Sequence, residues 1–253
     1  NLVKEKISPK TKAIMAVHLF GAMNELSKLI EICNKNKIFL IEDTAEAFGS
    51  RYKGKLAGTF GDISTFSFFG NKTITTGEGG MVFSKNKTLI SKVAFLKSQS
   101  VSREKEYWHE EVGYNYRMTN VSAAIGLSQL ELADEIITKK RSLFNSYKKL
   151  LGDLPLIFQK TCPDTFHTYW MISLLTESEE KKNLIRATLS ENNIETRPLF
   201  YPVNNMPMYH DNQRYKTAEM LNSRGLSLPS HPSLSKVEIE YISSKVRKCF
   251  VNF

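Results

Sequence analysis

An aspartate and a lysine each follow a short apolar run of the sequence, and this pair could do chemistry together. Residues 38–41 are followed by Glu42 and Asp43, and residues 66–69 are followed, after a glycine and an asparagine, by Lys72. Apolar runs of this length are typical of buried strands, and parallel-sheet proteins place their chemistry just beyond the carboxyl ends of the strands.

A carboxylate and an amine at one edge of a sheet suit a pyridoxal phosphate site. Lys72 would form a Schiff base with the cofactor aldehyde, and Asp43 would pair with the pyridinium nitrogen so that the ring can accept electrons. An aspartate that caps a turn at a strand end and a solvated surface lysine explain the same spacing. The spacing alone favours this second interpretation.

Composition and charge narrow the class of protein. The 253 residues are 41% hydrophobic, enough for a sizeable core, and no apolar run is long enough to predict a membrane span. The net charge of +9 is compatible with nucleic acid, an anionic membrane or a phosphate-bearing small molecule. Because the lysines are scattered among non-basic residues, we expect a solvated basic surface, with no nucleic acid and no membrane as partner. Three cysteines without metal-ligand spacing indicate reduced thiols in a cytoplasmic protein and no metal site.

The first part of the chain predicts a parallel sheet. Residues 12–18 and 38–41 are strand candidates, and apolar residues recur at helical spacing from Leu26 to Cys33 between them. A strand–helix–strand order implies parallel pairing through a right-handed crossover. His18, which ends the first strand, is interpreted as a structural histidine. A further strand over 65–69 and a glycine-rich turn over 77–80 follow.

A boundary between two domains is expected near residue 151. A helical pattern runs from about 120 to 151, which is long enough that we expect it to bend and to link two domains. Residues 152–164 contain two prolines and form the candidate boundary. The sequence therefore predicts a large domain over 1–151 and a smaller α+β domain over 152–253. In the smaller domain, Ser235 and Glu238 have the spacing of a capping box at the start of a final helix.

Seven stretches of the sequence occur in the order known from one enzyme family and span nearly the whole chain. They are VHLFG (17–21), IEDTAEAFGS (41–50), STFSFFGNKTITTGEGGMV (64–82), GYNYRMTNVSAAIGLSQLE (113–131), TYWM (168–171), ETRPLFYP (195–202) and GLSLPSHPSL (225–234). With these stretches the chain resembles the sugar-nucleotide aminotransferases of the DegT/DnrJ/EryC1/StrS family. The resemblance implies an α/β protein with the type I aminotransferase fold, in which a mostly parallel sheet forms the large domain and a smaller α+β domain follows.

The resemblance assigns cofactor roles residue by residue. Lys72 corresponds to the Schiff-base lysine, which also moves protons, and Asp43 to the partner of the pyridinium nitrogen. Glu46 occupies the place beside the ring where many relatives carry glutamine or histidine. Ser67 matches the hydroxyl that binds the cofactor phosphate. Asn115 matches an asparagine that family members insert from the neighbouring subunit, so the resemblance implies a homodimer with a shared active site.

Four further residues are candidate substrate contacts. Trp108 and His109, beside Tyr107, lie in a segment that could cover the nucleotide sugar, although ordinary loop packing explains them equally well. Arg117 could contact a substrate phosphate or form a structural salt bridge. Arg197 lies beside a proline in one of the matching stretches and could also contact substrate.

The implied activity is a transamination in polysaccharide (O-antigen) biosynthesis. An amino group would pass from glutamate through the pyridoxamine phosphate form of the cofactor to the C4 ketone of a nucleotide-linked 4-keto-6-deoxy sugar. The branch that the chain resembles most uses GDP-4-keto-6-deoxymannose and forms GDP-perosamine, and a UDP- or dTDP-linked keto sugar is the alternative.

Three alternatives to a transaminase are compatible with parts of the sequence. A sugar dehydratase of the same family would carry histidine in place of Lys72. A non-catalytic protein that binds nucleic acid would not need Asp43, Ser67, Lys72 and Asn115 together. An inactive truncated product is the third, because family members carry a further N-terminal part with a turn whose amides hold the cofactor phosphate.

Overall fold

The computed structural model describes residues 2–251, which form an α/β protein. Its helices are α1 (Leu2–Lys6), α2 (Leu26–Asn36), α3 (Lys87–Leu96), α4 (Asn120–Glu131), α5 (Ala133–Leu151), α6 (Glu179–Glu191), α7 (Lys216–Arg224) and α8 (Lys236–Lys248). Its strands are β1 (Ala13–Val17), β2 (Phe39–Asp43), β3 (Arg51–Tyr52), β4 (Lys55–Leu56), β5 (Ile63–Ser67), β6 (Gly80–Phe83), β7 (Ile157–Phe158), β8 (Thr165–Phe166), β9 (Ile172–Leu175), β10 (Arg197–Pro198) and β11 (Gly225–Leu228).

These elements group into two compact units. The first unit comprises the described residues of Asn1–Ile137 together with Thr161–Thr168, and the second comprises Thr138–Lys160 with the described residues from Tyr169 onward. The expected boundary near residue 151 therefore differs from the division in the structure. The physical reason is that the C-terminal part of α5 buries Leu143, Tyr147 and Leu151 in the core of the second unit.

The first unit is built on a four-stranded sheet in the order β1-β2-β5-β6. β1 pairs with β2 and β2 with β5 in parallel, as the strand–helix–strand pattern predicts, whereas β6 is antiparallel to β5. The strand predicted over 65–69 lies further towards the N-terminus, at Ile63–Ser67, because Phe68 turns into a loop where its carbonyl accepts from Thr76 N (2.9 Å).

One face of this sheet packs against a core, and the other carries exposed apolar side chains. On the packed side, Leu26 and Cys33 of α2 lie in one cluster with Ala16 and Leu40 of the sheet. On the opposite side, Met15 is 60% exposed and Phe39 is 62% exposed. Parallel sheets normally have both faces covered, so this second face is unusual for the strands that form it.

A second, small sheet shows that the chain returns to the first unit late. β3 pairs with β4 and, on its other side, with β8, so that Arg51 lies opposite Phe166. The hydroxyls of Ser50 and Thr168 are 2.9 Å apart in a buried position, and Ser50 Oγ donates to Gly21 O at 2.7 Å. Residues 161–168 therefore complete the first unit, although they follow the predicted boundary.

The long helical pattern over 120–151 is divided between two helices. α4 ends at Glu131 and α5 begins at Ala133, with Leu132 as the break between them. The expected bend is thus present, at a leucine that no helix-breaking residue marks. Every apolar side chain of α4 is at least partly exposed, whereas α5 contributes buried residues from Ala133 onward.

The second unit packs helices on an antiparallel sheet. Its strands run in the order β10-β11-β9-β7, and the core includes Ile172, Ile185 and Leu226. α8 contributes Ile239, Ile242 and Val246 to this core. The predicted capping box is confirmed, because Ser235 Oγ accepts from Glu238 N at 3.3 Å and Glu238 Oε2 accepts from Ser235 N at 2.7 Å.

We expect Ser235→Ala to lower the free energy of unfolding by about 1 kcal/mol, because the first turn of α8 loses the oxygen that satisfies an unpaired amide. Urea unfolding followed by circular dichroism measures the change. Ser244→Ala, which removes an exposed hydroxyl bonded within the same helix to Tyr241 O, is the matched control. Equal stability of the two variants would contradict the role of the cap.

Candidate active site

Asp43 and Ser67 are the last residues of two neighbouring parallel strands, β2 and β5. Asp43 is the last residue of β2 and lies opposite Thr65 of β5, and Ser67 follows two residues later on the same side of that strand. The Asp43 side chain is partly buried, and its Oδ1 accepts from Ala45 N at 3.0 Å. A carboxylate and a hydroxyl therefore project from one edge of the sheet, on the face that carries Met15 and Phe39.

Lys72 lies in a closed loop directly beyond this edge. Its N–H donates to Phe69 O at 3.0 Å, and the Phe68 carbonyl accepts from Thr76 N at 2.9 Å and from Thr75 Oγ1 at 3.0 Å. Phe68 and Ile74 are buried together against Ala133. Hydrogen bonds and buried side chains therefore fix the loop on both sides of Lys72, and they restrict the position of the Lys72 amine.

Lys72 shares its surroundings with two carboxylates. Burial lowers the pKa of the Lys72 amine, while the negative charges of Glu46 and Asp43 act in the opposite direction. Burial raises the pKa of Glu46, against the hydrogen bond from Phe20 N at 2.7 Å and the charge of Lys72. Lys72, Asp43 and Glu46 therefore form one electrostatic group, which we name the Lys72 cluster.

The turn over 77–80 holds β6 against the strand that carries Ser67. Gly79 O accepts from Phe68 N at 2.9 Å, and Gly79 has a φ of 144°, where a side chain is strained. Gly80 lies opposite Ser67 in the ladder, and a Cβ at Gly80 would approach Phe66 O to 2.6 Å. Of the glycines predicted as a permissive turn, Gly79 is therefore required by its backbone conformation and Gly80 by its close contact with Phe66 O beside Ser67.

The sequence patterns did not predict the buried pair of His18 and Glu42, on the core side of the sheet, as a functional feature. His18 Nε2 lies 3.2 Å from Glu42 Oε2, and both side chains are fully buried. The same carboxylate accepts from the amides of Gly58 (2.9 Å), Phe60 (2.7 Å) and Gly61 (2.7 Å). Burial alone would raise the pKa of Glu42, but these hydrogen bonds lower it. A charged residue in phase with the buried Leu40 was the signal in the sequence, because a buried carboxylate needs partners.

The predicted substrate residues of the first unit lie in an exposed segment. Its backbone forms an irregular ladder in which Ser98 pairs with Asn115 and Val101 with His109. His109 Nδ1 lies 2.7 Å from Gln99 O, and Lys105 Nζ lies 3.7 Å from the centre of the Trp108 ring.

Asn115 and two other predicted site residues lie at the surface of the first unit. Asn115, Tyr107 (97% exposed) and Arg117 are all exposed. Arg197 belongs to β10 of the second unit, where its Nε lies 3.5 Å from Glu195 Oε1, so it pairs locally with a carboxylate.

The donor set of the Lys72 cluster fits pyridoxal phosphate. A partly buried amine whose pKa is lowered suits an aldehyde, a carboxylate suits the protonated ring nitrogen, and the Ser67 hydroxyl suits a phosphate oxygen. The loop leaves room at Gly70, where the nearest atom to an added Cβ would be Gly77 O at 3.8 Å.

Residues 2–251 contain neither a candidate metal site nor a candidate membrane-spanning helix. No group of three or more histidine, cysteine, aspartate or glutamate side chains there could hold a metal ion. Across the same residues, none of the helices combines the length and the apolar character needed to cross a bilayer.

Comparison with known proteins supports the fold and the family. A sequence profile described as the DegT/DnrJ/EryC1/StrS aminotransferase family matches residues 1–247. GDP-perosamine synthase of Escherichia coli O157:H7 is 51% identical over 249 residues, which are 98% of this chain and 68% of that protein. GDP-perosamine synthase of Vibrio cholerae is 46% identical over 254 residues, which are 98% of this chain and 69% of that protein.

A solved structure shows the same fold. Helicobacter pylori PseC, an aminotransferase involved in the biosynthesis of pseudoaminic acid, matches with a TM-score of 0.92 and 26% sequence identity. The match covers 98% of this chain and 69% of that chain. The predicted aminotransferase fold is thereby confirmed.

We expect Gly80→Ala to lower the free energy of unfolding by about 1–3 kcal/mol, because the added Cβ collides with Phe66 O and displaces β6 from β5. Chemical denaturation measures this loss. Gly70→Ala is the matched control, since the atom nearest to its Cβ would be Gly77 O at 3.8 Å, an ordinary van der Waals contact. Equal stability of the two variants would show that the ladder beside Ser67 tolerates the side chain.

Proposed function

The chain belongs to the DegT/DnrJ/EryC1/StrS aminotransferase family and is a pyridoxal-phosphate-dependent sugar aminotransferase; from this premise we propose its substrates and the roles of its residues. We infer that it transfers an amino group from glutamate to the C4 ketone of GDP-4-keto-6-deoxymannose, which gives GDP-perosamine. The two relatives that are 51% and 46% identical, both named GDP-perosamine synthase, support this choice of sugar.

The observation that carries the proposal is the position of the Lys72 amine. It lies partly buried in an anchored loop at the sheet edge, within the electrostatic influence of Glu46 and Asp43. A solvated surface lysine would be surrounded by water and would keep its ordinary pKa. Burial that lowers the pKa of an amine increases the neutral fraction, which is the form that reacts with a carbonyl and accepts a proton.

We assign one role to each residue that would hold the cofactor. Pyridoxal phosphate, when bound, supplies an aldehyde for amine exchange and a conjugated ring that accepts electrons. Lys72 Nζ would bind the aldehyde carbon and carry protons between carbon atoms during the reaction. Asp43 would keep a proton on the ring nitrogen, Ser67 Oγ would donate to the phosphate, and Glu46 would lie beside the ring.

We propose that a second copy of the chain completes the site. Asn115 is exposed in its own protomer, and its backbone is fixed by pairing with Ser98. An exposed amide on a braced segment is suited to reach a phosphate on a neighbouring subunit. The pairing Ser98–Asn115 would then set how far the side chain extends.

The exposed segment before Asn115 has groups that suit a nucleotide sugar. The Trp108 ring can stack on a base, and Lys105 above it and the adjacent His109 can face the diphosphate. We assign Arg117, two residues after Asn115, to a phosphate of the substrate. We assign Arg197, in the second unit, to an anionic group of either substrate. The net charge of +9 favours such anionic substrates over neutral ones.

We expect Lys72→Ala to abolish the borohydride-reducible visible absorbance of the Schiff base with pyridoxal phosphate and to lower the rate of amino transfer at least about a hundredfold, because both depend on the Lys72 amine. Absorption spectroscopy and an amino-transfer assay with glutamate measure these effects. Lys87→Ala, which removes an exposed lysine of α3, is the matched control and should leave both unchanged. An unaltered spectrum in Lys72→Ala would remove the basis of the assignment.

The choice of nucleotide is tested with the unmodified protein. Glutamate and pyridoxal phosphate are supplied with the GDP-, UDP- or dTDP-linked 4-keto-6-deoxy sugar, and the amino sugar formed is measured by mass spectrometry. We expect the GDP-linked sugar to be consumed fastest. Faster consumption of either other sugar would contradict the proposed substrate while leaving the transaminase assignment in place.

A further inference from the structure

The Glu42 carboxylate occupies a position where a hydrocarbon would suffice for packing. It lies on the core side of the sheet, in phase with Leu40, and is 0% exposed. A buried charge is costly even when fully hydrogen-bonded, and apolar replacements of buried charges are often neutral or stabilising. The stability of the sheet therefore does not by itself account for this residue, and its bonds indicate what else it does.

Glu42 and Asn24 together fix the tautomer and the orientation of the His18 ring. His18 Nδ1 accepts from Asn24 N at 3.3 Å and lies 2.9 Å from Asn24 Nδ2, so the hydrogen-bond network places the ring proton on Nε2. Nε2 then donates to Glu42 Oε2 at 3.2 Å. The backbone N–H of the same histidine donates to Asp43 O at 3.1 Å, so His18 contacts two successive residues of β2.

His18 also begins the short segment that reaches Glu46. Two residues later, Phe20 adopts φ 56° and ψ 15°, a left-handed conformation that is uncommon for a non-glycine residue. Such strain persists only where neighbouring contacts hold the backbone in place. In this conformation the Phe20 N–H donates to Glu46 Oε2 at 2.7 Å.

We propose that Glu42 and His18 are a positioning pair for the Lys72 cluster. Glu42 holds the His18 ring, His18 holds the Asp43 backbone, and the segment from His18 to Phe20 delivers the amide that orients Glu46. The pair acts from behind the sheet, since alternation along β2 directs Glu42 and Asp43 to opposite faces. This inference rests on the proposed roles of Asp43 and Glu46 at the cofactor.

A double-mutant cycle on cofactor affinity tests the positioning pair. The dissociation constant of pyridoxal phosphate is measured by equilibrium dialysis for the full chain and for Glu42→Gln, Glu46→Gln and the double variant. We expect Glu42→Gln to weaken binding roughly tenfold, as loss of outer support for a bound group does. We expect the double variant to deviate from the product of the single effects by at least about threefold, because Glu42 acts through Glu46.

Tyr52→Phe is the matched control. It removes a hydroxyl that donates to Ser27 Oγ at 3.0 Å in the same core, and it leaves in place the hydrogen bonds between Glu42 and His18 and between Phe20 and Glu46. Its effect should be small and should combine with that of Glu46→Gln as a simple product. A Glu42→Gln variant that unfolds at lower temperature yet binds the cofactor as tightly as the unmodified chain would overturn the proposal, as would a multiplicative cycle.

A milder variant keeps the test decisive if Glu42→Gln does not fold. Asn24→Ala leaves the carboxylate and its three amide donors intact. It removes the side-chain amide that lies 2.9 Å from His18 Nδ1 and donates to Val17 O at 2.7 Å. The same coupling with Glu46→Gln is expected, and its absence would overturn the positioning role. If the unmodified chain does not bind pyridoxal phosphate, the proposed function and this inference both fail. If it binds the cofactor and the coupling is absent, only this inference fails.

Discussion

The parallel pairing of β2 with β5 is the constraint on which the candidate site depends. It places Asp43 opposite Thr65, so that Asp43 and Ser67 end at one edge, and the loop beyond β5 brings Lys72 to the same place. A shift of one residue in this register would turn Asp43 into the core and Glu42 outward. The four hydrogen-bond donors that meet the Glu42 carboxylate hold the register, because they are satisfied only when this side chain lies inside.

The chemistry of the site and the packing around it are separated by the sheet. Behind it, a carboxylate is kept charged by donors that offset its burial. In front of it, burial acts on Glu46 and Lys72 in opposite senses, since it disfavours the charged form of each. The charge states of a partly buried amine and carboxylate change with small changes in the distance between them. Rigid support from strands and anchored loops therefore suits such a pair.

Those features that depend on local sequence were predictable. The presence of β1 and β2, the glycine turn and the Ser235 cap follow from patterns within a few residues, and the structure contains each of them. The position of Asp43 and Lys72 at the same end of the sheet also follows, because β2 and β5 are parallel, although the spacing alone does not favour a shared chemical role. The predicted bounds of β5, 65–69, are displaced by two residues from the observed Ile63–Ser67, since Phe68 is buried by a loop contact that an apolar run does not distinguish from a strand. His18 with Glu42 and Phe20 with Glu46 are contacts across 24 and 26 residues, which no local pattern specifies.

The late return of the chain to the first unit has a consequence for its biosynthesis. Ser50 and Thr168 are hydrogen-bonded partners 118 residues apart, and β3 lacks one of its neighbours until β8 is present. Translation proceeds at roughly 5–20 residues per second, so on the ribosome the β3 edge would wait several seconds for its partner. During that interval β3 and β4 have been synthesised, whereas β8, which completes their sheet, has not. The β3–β4–β8 sheet can therefore be completed only after residue 166 has been synthesised.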